Sequence, residues 1–527
     1  MINKKLIVIL TLAFILRLVN LNQSLWLDEA IQAMAIWQNS LKDLFLSYFP
    51  GDFNPPLGYL ISWVTVRISG FSEIALRLPS VIFGVLNVWL VYLLADKVQP
   101  WGMPKLDLFE ISFSELSALL LATAPLHIYY SQESRPYMLA CLFATWSMYE
   151  FWRSLMPGVD PAKRGVDKET PGVNINWRYI LSTTLMLYSH YMTWFLIPTQ
   201  ALIVLIKVRP WHMPRTDLFK NFLKNFLVSW FTIFLFLTPW LSIFLKQLKA
   251  SRGIAESLPV WKNLGMFSFK NLSLIPVKFL IGRISVENNI VYGLVMLPIL
   301  ILATWLLIKS LSHITHHTSH ASFLSLWLFL PLALGTIFSL RLPILQYFRF
   351  LFVLPAFYIL LAYGILRTRS FKILILFFFI FNLACSSIYL FNPKFHREDW
   401  KGAVNFISQK NLNAPVLILK PISAPFQYYT GPACKSDQAG PALIDYQEAE
   451  KVRYLSQVWF IKYAQPIFDP ENKTEKKLKD FGFEEITTRH FRGVEVKYMV
   501  NPGGLKAYSQ MPQINKFQIN LNPPAGG

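Results

Sequence analysis

Of the 527 residues, 54% are hydrophobic, 16% aromatic and only 15% charged, with a formal net charge of +20. Soluble chains usually carry about a quarter charged residues; here long apolar runs recur from the N-terminus to about residue 391, which excludes a soluble protein and indicates a polytopic membrane protein. The basic residues are scattered in loops between those runs and form no stripe with interleaved aromatics, so membrane lipid and a positive-inside bias account for the charge and no nucleic-acid partner is expected.

The N-terminal stretch MINKKLIVILTLAFILRLVNL has a basic start and an apolar run but no small-residue cleavage site, and reads as a retained signal-anchor. In chain order about eleven spans are predicted, near 4–22, 79–95, 115–130, 137–152, 178–191, 193–207, 224–243, 289–308, 322–340, 350–366 and 371–390. The two short ones, 178–191 and 193–207, read as one hairpin with a tight turn. Cys141 and Cys385 fall in spans and Cys434 stands alone in a polar region, so no disulfide framework forms there.

Charge bias orients the spans. With Met1 in the cytoplasm, the basic segments around 96–114, 153–178, 207–224, 309–321 and 367–372 also face it, while 128–136, 188–193 and 341–349 face outward. Loop 244–287 breaks the bias with Lys246, Lys249, Arg252, Lys262, Lys270, Lys278 and Arg283 on the outer side.

The first outer loop, about 23–78, opens with SLWLDEA. Residues 29–49 carry apolar side chains at helical spacing and predict one amphipathic helix in the interface; after GDFNPP, residues 57–69 predict a second, too short to span. Asp28 suits the N-cap of the first helix and Glu29 its first turn. Asp28 equally suits a general base pointing into a cavity beneath these helices, and both readings stand.

Further outward-facing polar groups follow. In SQESRPY, Glu133 and Arg135 occupy a turn stiffened by Pro136 and crowded by Tyr129, Tyr130 and Tyr137, which suits a binding site better than a spacer. Arg77 in ALRLPS, with Arg341 and Arg349 in RLPILQYFRF around Tyr347, could hold an anion, because a guanidinium offers two parallel charge-assisted hydrogen bonds. His313, His316, His317 and His320 share a helical spacing but fall on the cytoplasmic side and read as a solvated loop. Residues 391–500 are a different material: helices at 399–410 and 473–481 and strands at 416–420, 458–464 and 493–500 predict a small extracytoplasmic α/β domain. The Pro-, Gly-, Asn- and Gln-rich tail, 501–527, reads as disordered.

The ordered motifs SLWLDEA, NPPLGYL, ALRLPS, YYSQESRPYMLA and RFLFVLPAF resemble the GT-C glycosyltransferases of family 39, which include dolichyl-phosphate-mannose–protein mannosyltransferases and bacterial lipid A aminoarabinose transferases. The resemblance covers residues 1–390, and FHREDWKGAVNFI is similar to the start of the outer domain in bacterial members. It implies the α-helical polytopic GT-C architecture, with a polyprenyl-phosphate sugar as donor and a lipid, glycan or protein hydroxyl as acceptor. Transfer on the extracytoplasmic face would proceed with inversion. The candidate catalytic acids are Asp28, which matches the acid the resemblance implies, and its neighbour Glu29; the candidates for substrate and phosphate are Arg77, Asn54, Glu133, Arg135, Tyr137, Tyr347 and Arg349, with Arg135 and Arg349 on the leaving phosphate. Asn54 stands where the family often has His or Lys before Pro-Pro and brings no cation. Some members use a divalent metal, and the residues leave that open. The rival from another class is a transporter or flippase for a lipid-linked or anionic substrate; the absence of evident internal repeats, and a single ionisable residue, Arg17, deep in a span, disfavour it.

Overall fold

The structure, a computed structural model, describes residues 3–99, 111–155, 176–208, 217–311, 319–410, 414–431, 443–445, 452–453 and 455–503. Cys434, the histidine-rich stretch 313–318 and the tail beyond 503 lie outside the described residues.

All eleven predicted apolar segments are largely helical. Among the described residues, five helices are long and apolar enough to cross a membrane: Glu73–Lys97, Leu223–Gly253, Asn289–Leu311, Tyr347–Leu366 and Phe371–Phe391. The segment expected at 115–130 is two helices, Phe113–Thr123 and Pro125–Ser131. The residue before a proline is pushed out of the helical region; Ala124 accordingly sits at φ −61°, ψ 120°, and Pro125 opens the second piece. The first piece begins with a reciprocal capping box between Ser112 and Glu115.

Three expectations for the loops change. The single amphipathic helix over 29–49 is instead Leu27–Gln38 followed by short turns that run to Gly51. The Asn39-Ser40 pair interrupts it: Asn39 takes an extended conformation and the Ser40 hydroxyl accepts from the Asp43 N–H, starting a new turn. Asp28 is not the N-cap, which is Trp26, a residue with no side-chain acceptor; Asp28 instead lies in the first turn. The segment expected at 224–243 belongs to a 41-residue helix, Asp217–Ser257, and the following loop folds a further helix, Phe269–Ile281.

Helices approach closely where side chains are missing. A Cβ on Gly364 would lie 2.2 Å from the Leu306 carbonyl oxygen, so this glycine lets Tyr347–Leu366 rest against Asn289–Leu311. Arg17 is fully buried and bonded to the Ala13 and Ala122 carbonyls, Ser131 and His127, tying the first helix to the middle of the bundle.

Residues 416–500 form a five-stranded sheet from β1 (Val416–Ile418), β2 (Leu443–Asp445), β3 (Gln457–Tyr463), β4 (Glu484–Phe491) and β5 (Val494–Val500), in the order β2-β1-β3-β5-β4. β1 is parallel to β2 and β3; β5 is antiparallel to β3 and β4. The β4–β5 turn is Arg492-Gly493, with Gly493 at φ +75°, a conformation glycine adopts without strain. β2 and β4 were not foreseen: β4 exposes most of its side chains and so lacks an apolar alternation. An apolar core joins this part to the first-loop helices, with Leu25, Ala30 and Met34 in one cluster with Trp400, Val404 and Tyr428.

Candidate active site

At one end of the bundle the first loop, the 132–136 turn, the segment around Tyr347 and the chain after Phe391 meet. Two neighbouring carboxylates enter this junction and take different surroundings, because successive helical positions point about 100° apart.

Glu29 is fully buried. The Arg77 Nε donates to its Oε1 at 2.8 Å and Nη2 to its Oε2 at 2.5 Å; the Ser134 N–H donates to Oε1 at 2.7 Å, and Arg397 approaches Oε2 at 3.4 Å. Burial opposes its charged form, but Arg77 and Arg397 outweigh it and hold the carboxyl below the usual range. Arg77 spends its remaining N–H groups on the Leu21, Gln23 and Ser24 carbonyls. In this structure Arg77 has all five donors committed within the protein, and Glu29 is a fully paired anion with no solvent exposure. The physical reason is burial: a charge out of water must be paired and hydrogen-bonded.

Asp28 is 38% exposed and faces Arg135 at 3.8 Å, a loose contact supplemented by Arg135 Nη1 on the Asp28 carbonyl at 3.4 Å. Burial opposes the charge on Arg135, but Asp28 leads the anionic neighbours that raise it well above the usual value. Arg349 interacts electrostatically with both Asp28 and Arg135 and fixes its own fork on the Pro343 carbonyl at 2.6 Å. Asp52 adds a second carboxyl, pushed upward by burial against the pull of Arg135. The Asn54 N–H donates to Asp52 at 3.2 Å, and Gln247, from helix Asp217–Ser257, donates to the Phe49 and Asn54 carbonyls. Asn54 thus shapes the loop, with its side chain buried.

Beside this pair opens a cavity of about 240 Å³. Tyr129, Tyr130, Tyr137 and Phe348 give it aromatic walls, Trp26 and Glu133 edge it, and Arg283, Arg397 and Arg492 bring guanidinium groups. Glu133 is 1% exposed and ion-paired to Arg397 at 3.4 Å, while its Oε1 has no hydrogen-bond partner; the Trp26 Nε1 is likewise buried and unpartnered. Burial pushes the Glu133 carboxyl up to about 7, against the pull of Arg397. Arg283 stands over the Tyr129 ring and donates to the Tyr347 hydroxyl at 2.9 Å. The turn carrying Glu133 and Arg135 is clamped by Ser80 on the Glu133 carbonyl and by Gln132 on the Arg17 and Val19 carbonyls.

The geometry therefore gathers Asp28, Arg135, Tyr137 and Arg349 in one place, with Glu133 lining the adjoining cavity and Tyr347 bonded to its lining residue Arg283, and it sets Glu29 and Arg77 behind them as buried support. Sequence reasoning passed over Arg283 and Arg397 as site residues. The signal for Arg283 was its place among cations that violate the positive-inside bias. For Arg397 it was the run HREDW directly after the last span.

Among the described residues the implied divalent metal finds no donor set of three or more His, Cys, Asp or Glu side chains, and Arg135 already supplies positive charge to both Asp28 and Asp52.

No protein-family model matches the sequence, and no curated protein matches it. Solved structures do. ArnT from Cupriavidus metallidurans bound to undecaprenyl phosphate aligns with a TM-score of 0.54 at 12% identity, over 94% of this chain and 97% of that chain. The archaeal oligosaccharyltransferase AglB from Archaeoglobus fulgidus, in complex with an inhibitory peptide and a dolichol-phosphate, aligns at 0.53 and 11% identity, over 97% of this chain and 75% of that one. At such identities the likeness is one of fold, which this chain shares with both of those chains over most of its length.

Proposed function

We propose that this chain is a membrane glycosyltransferase that moves a sugar from a polyprenyl-phosphate-linked donor to an acceptor hydroxyl, with inversion, on the extracytoplasmic face. In this reading all eleven apolar segments cross the bilayer, that of a bacterial plasma membrane, with Met1 in the cytoplasm and residues 391–500 outside; the basic residues in the alternate loops support that orientation. The GT-C fold, shared with chains solved with undecaprenyl phosphate and a dolichol-phosphate, supports the donor class.

One observation carries the reading: Asp28, the acid left open at the junction, is paired only loosely with Arg135, within electrostatic reach of Arg349. Asp28 takes the proton of the acceptor hydroxyl as that oxygen bonds to the anomeric carbon. The bond from that carbon to the phosphate oxygen breaks with its electron pair, and Arg135 and Arg349 stabilise the polyprenyl phosphate that leaves. Attack from the face opposite the phosphate inverts the centre. A phosphate is already a competent leaving anion, so the second carboxylate that glycoside hydrolysis needs has no counterpart here. Arrival of the donor replaces the Asp28 contact on Arg135, freeing the carboxylate at the moment it is needed.

The test is Asp28→Asn in proteoliposomes supplied with radiolabelled polyprenyl-phosphate sugars. A positioned general base contributes about 10²–10⁴-fold, and a loss of that size with donor binding retained is expected. Full activity in the variant would remove the proposed base, and substrate crossing the bilayer without a new glycosidic bond would favour a flippase instead.

A further inference from the structure

The segment after helix Phe371–Phe391 does more than connect. The Arg397 side chain is 1% exposed, its guanidinium lies between Glu29 and Glu133 at 3.4 Å from each, and its Cζ stands 4.6 Å from the Tyr129 ring centre. Its main-chain N–H donates to the Gln23 side chain at 3.2 Å. Four residues on, the Lys401 N–H donates to the Ser24 hydroxyl at 3.1 Å, and from the helix Ala424–Thr430 the Tyr429 hydroxyl accepts the Leu25 N–H at 2.8 Å. The C-terminal part thus holds residues 23, 24, 25 and 29, on both sides of Asp28.

The helix that carries Asp28 needs this hold. Its N-cap, Trp26, offers no side-chain acceptor, so the first turn is not fixed from within. The buried acids Glu29 and Glu133 both meet Arg397, and of the two only Glu29 is also held by Arg77. Arg77 reaches only Glu29, so without Arg397 the Glu133 carboxyl loses its ion-pair partner and faces Glu29 across the space Arg397 vacates.

We infer that Arg397 is a positioning residue for Asp28, and that the C-terminal domain is thereby a working part of the transferase site rather than an appended module. This rests on the reading of Asp28 as the general base. Arg397 acts through Glu29: it sets the start of helix Leu27–Gln38, and so the line from the Asp28 carboxylate to the acceptor oxygen. A displacement of about 1 Å at a reacting group costs on the order of 10²-fold in rate.

The experiment uses the full chain in nanodiscs with Arg397→Ala, Arg397→Lys and Tyr429→Phe. Hydrogen exchange of peptides covering residues 20–30 is measured together with kcat and KM for the radiolabelled polyprenyl-phosphate sugar that the wild type turns over. Arg397→Ala is expected to deprotect residues 23–29 and to lower kcat about 10²-fold with donor KM unchanged. Arg397→Lys restores one of the two carboxylate contacts and falls in between. Tyr429→Phe, which buries no unpaired charge, repeats the deprotection in weaker form and decides the matter if the alanine variant does not fold. Unchanged exchange at residues 23–29 in the variants that fold overturns the inference, as does a raised KM at unchanged kcat, which would mean Arg397 grips donor directly. If the wild type transfers no sugar, the functional reading fails by itself and the exchange data still decide whether Arg397 and Tyr429 hold the loop.

Discussion

Adjacent carboxylates with opposite surroundings give a sharp contrast on mutation. Glu29→Ala removes the acceptor of two Arg77 hydrogen bonds, the Arg397 contact and the partner of the Ser134 N–H, all at a site with no solvent exposure. Breaking one side of a buried pair costs about 3–5 kcal/mol, and a stranded buried N–H about 1–3 kcal/mol. The two are not additive, since the same side chain makes both, so about 4 kcal/mol is expected against the roughly 5–15 kcal/mol that folded proteins usually hold in total. Asp28→Asn loosens only a half-open contact at 3.8 Å and should cost about 0–1 kcal/mol. Denaturant-dependent unfolding of the purified protein, followed by tryptophan fluorescence, measures both. The reasoning is refuted if Glu29→Ala unfolds within 1 kcal/mol of wild type (about the scale of a surface pair), or if Asp28→Asn is as damaging as Glu29→Ala.

Arg349→Ala should lower kcat about 10²–10³-fold, the loss seen when one donor to a developing anion is removed, while stability changes little; single-turnover transfer assays check it. Glu133 links stability to pH. Its carboxyl is raised from 4.5 to about 7 in the folded state, so between these values the native state holds a proton the unfolded chain has released. Stability therefore falls as pH rises through this window, and Glu133→Gln should flatten that slope in unfolding curves taken across it. Glu29 has the opposite sign: its folded value is depressed, and its contribution is lost only as pH falls below the ordinary carboxyl range. Gly364→Val should destabilise the bundle by about 1–3 kcal/mol, since its side chain meets backbone rather than a movable group, and thermal unfolding in detergent would show it.

Much of this was legible in the sequence, for physical reasons that differ from part to part. The apolar segments announce themselves because a bilayer demands about 20 apolar residues per crossing, β1 and β3 because their interiors are apolar runs, and β5 because Val494, Val496 and Tyr498 alternate with Glu495 and Lys497. SLWLDEA pointed to Asp28, and SQESRPY to Arg135 and Glu133. What stayed hidden depends on long-range pairing. Nothing local distinguishes Arg77, which ends inside a shell of carbonyls from residues 21–24, from Arg349, which stays near Asp28. Likewise Glu29 reads as a first-turn acid until Arg397, hundreds of positions later, closes over it. Pro125 was a visible break in the 115–130 segment, and its effect follows from the steric rule for the preceding residue.

The central claim is that Asp28 accepts the proton from an acceptor hydroxyl while a polyprenyl phosphate departs. Wild type, Asp28→Asn and Asp28→Glu in proteoliposomes, charged with one radiolabelled polyprenyl-phosphate sugar at a time, test it by following the label from lipid to a new glycosidic bond. The account predicts transfer by wild type, loss of about 10²-fold or more in Asp28→Asn with the donor still bound, and partial recovery in Asp28→Glu. Equal transfer by all three would contradict it.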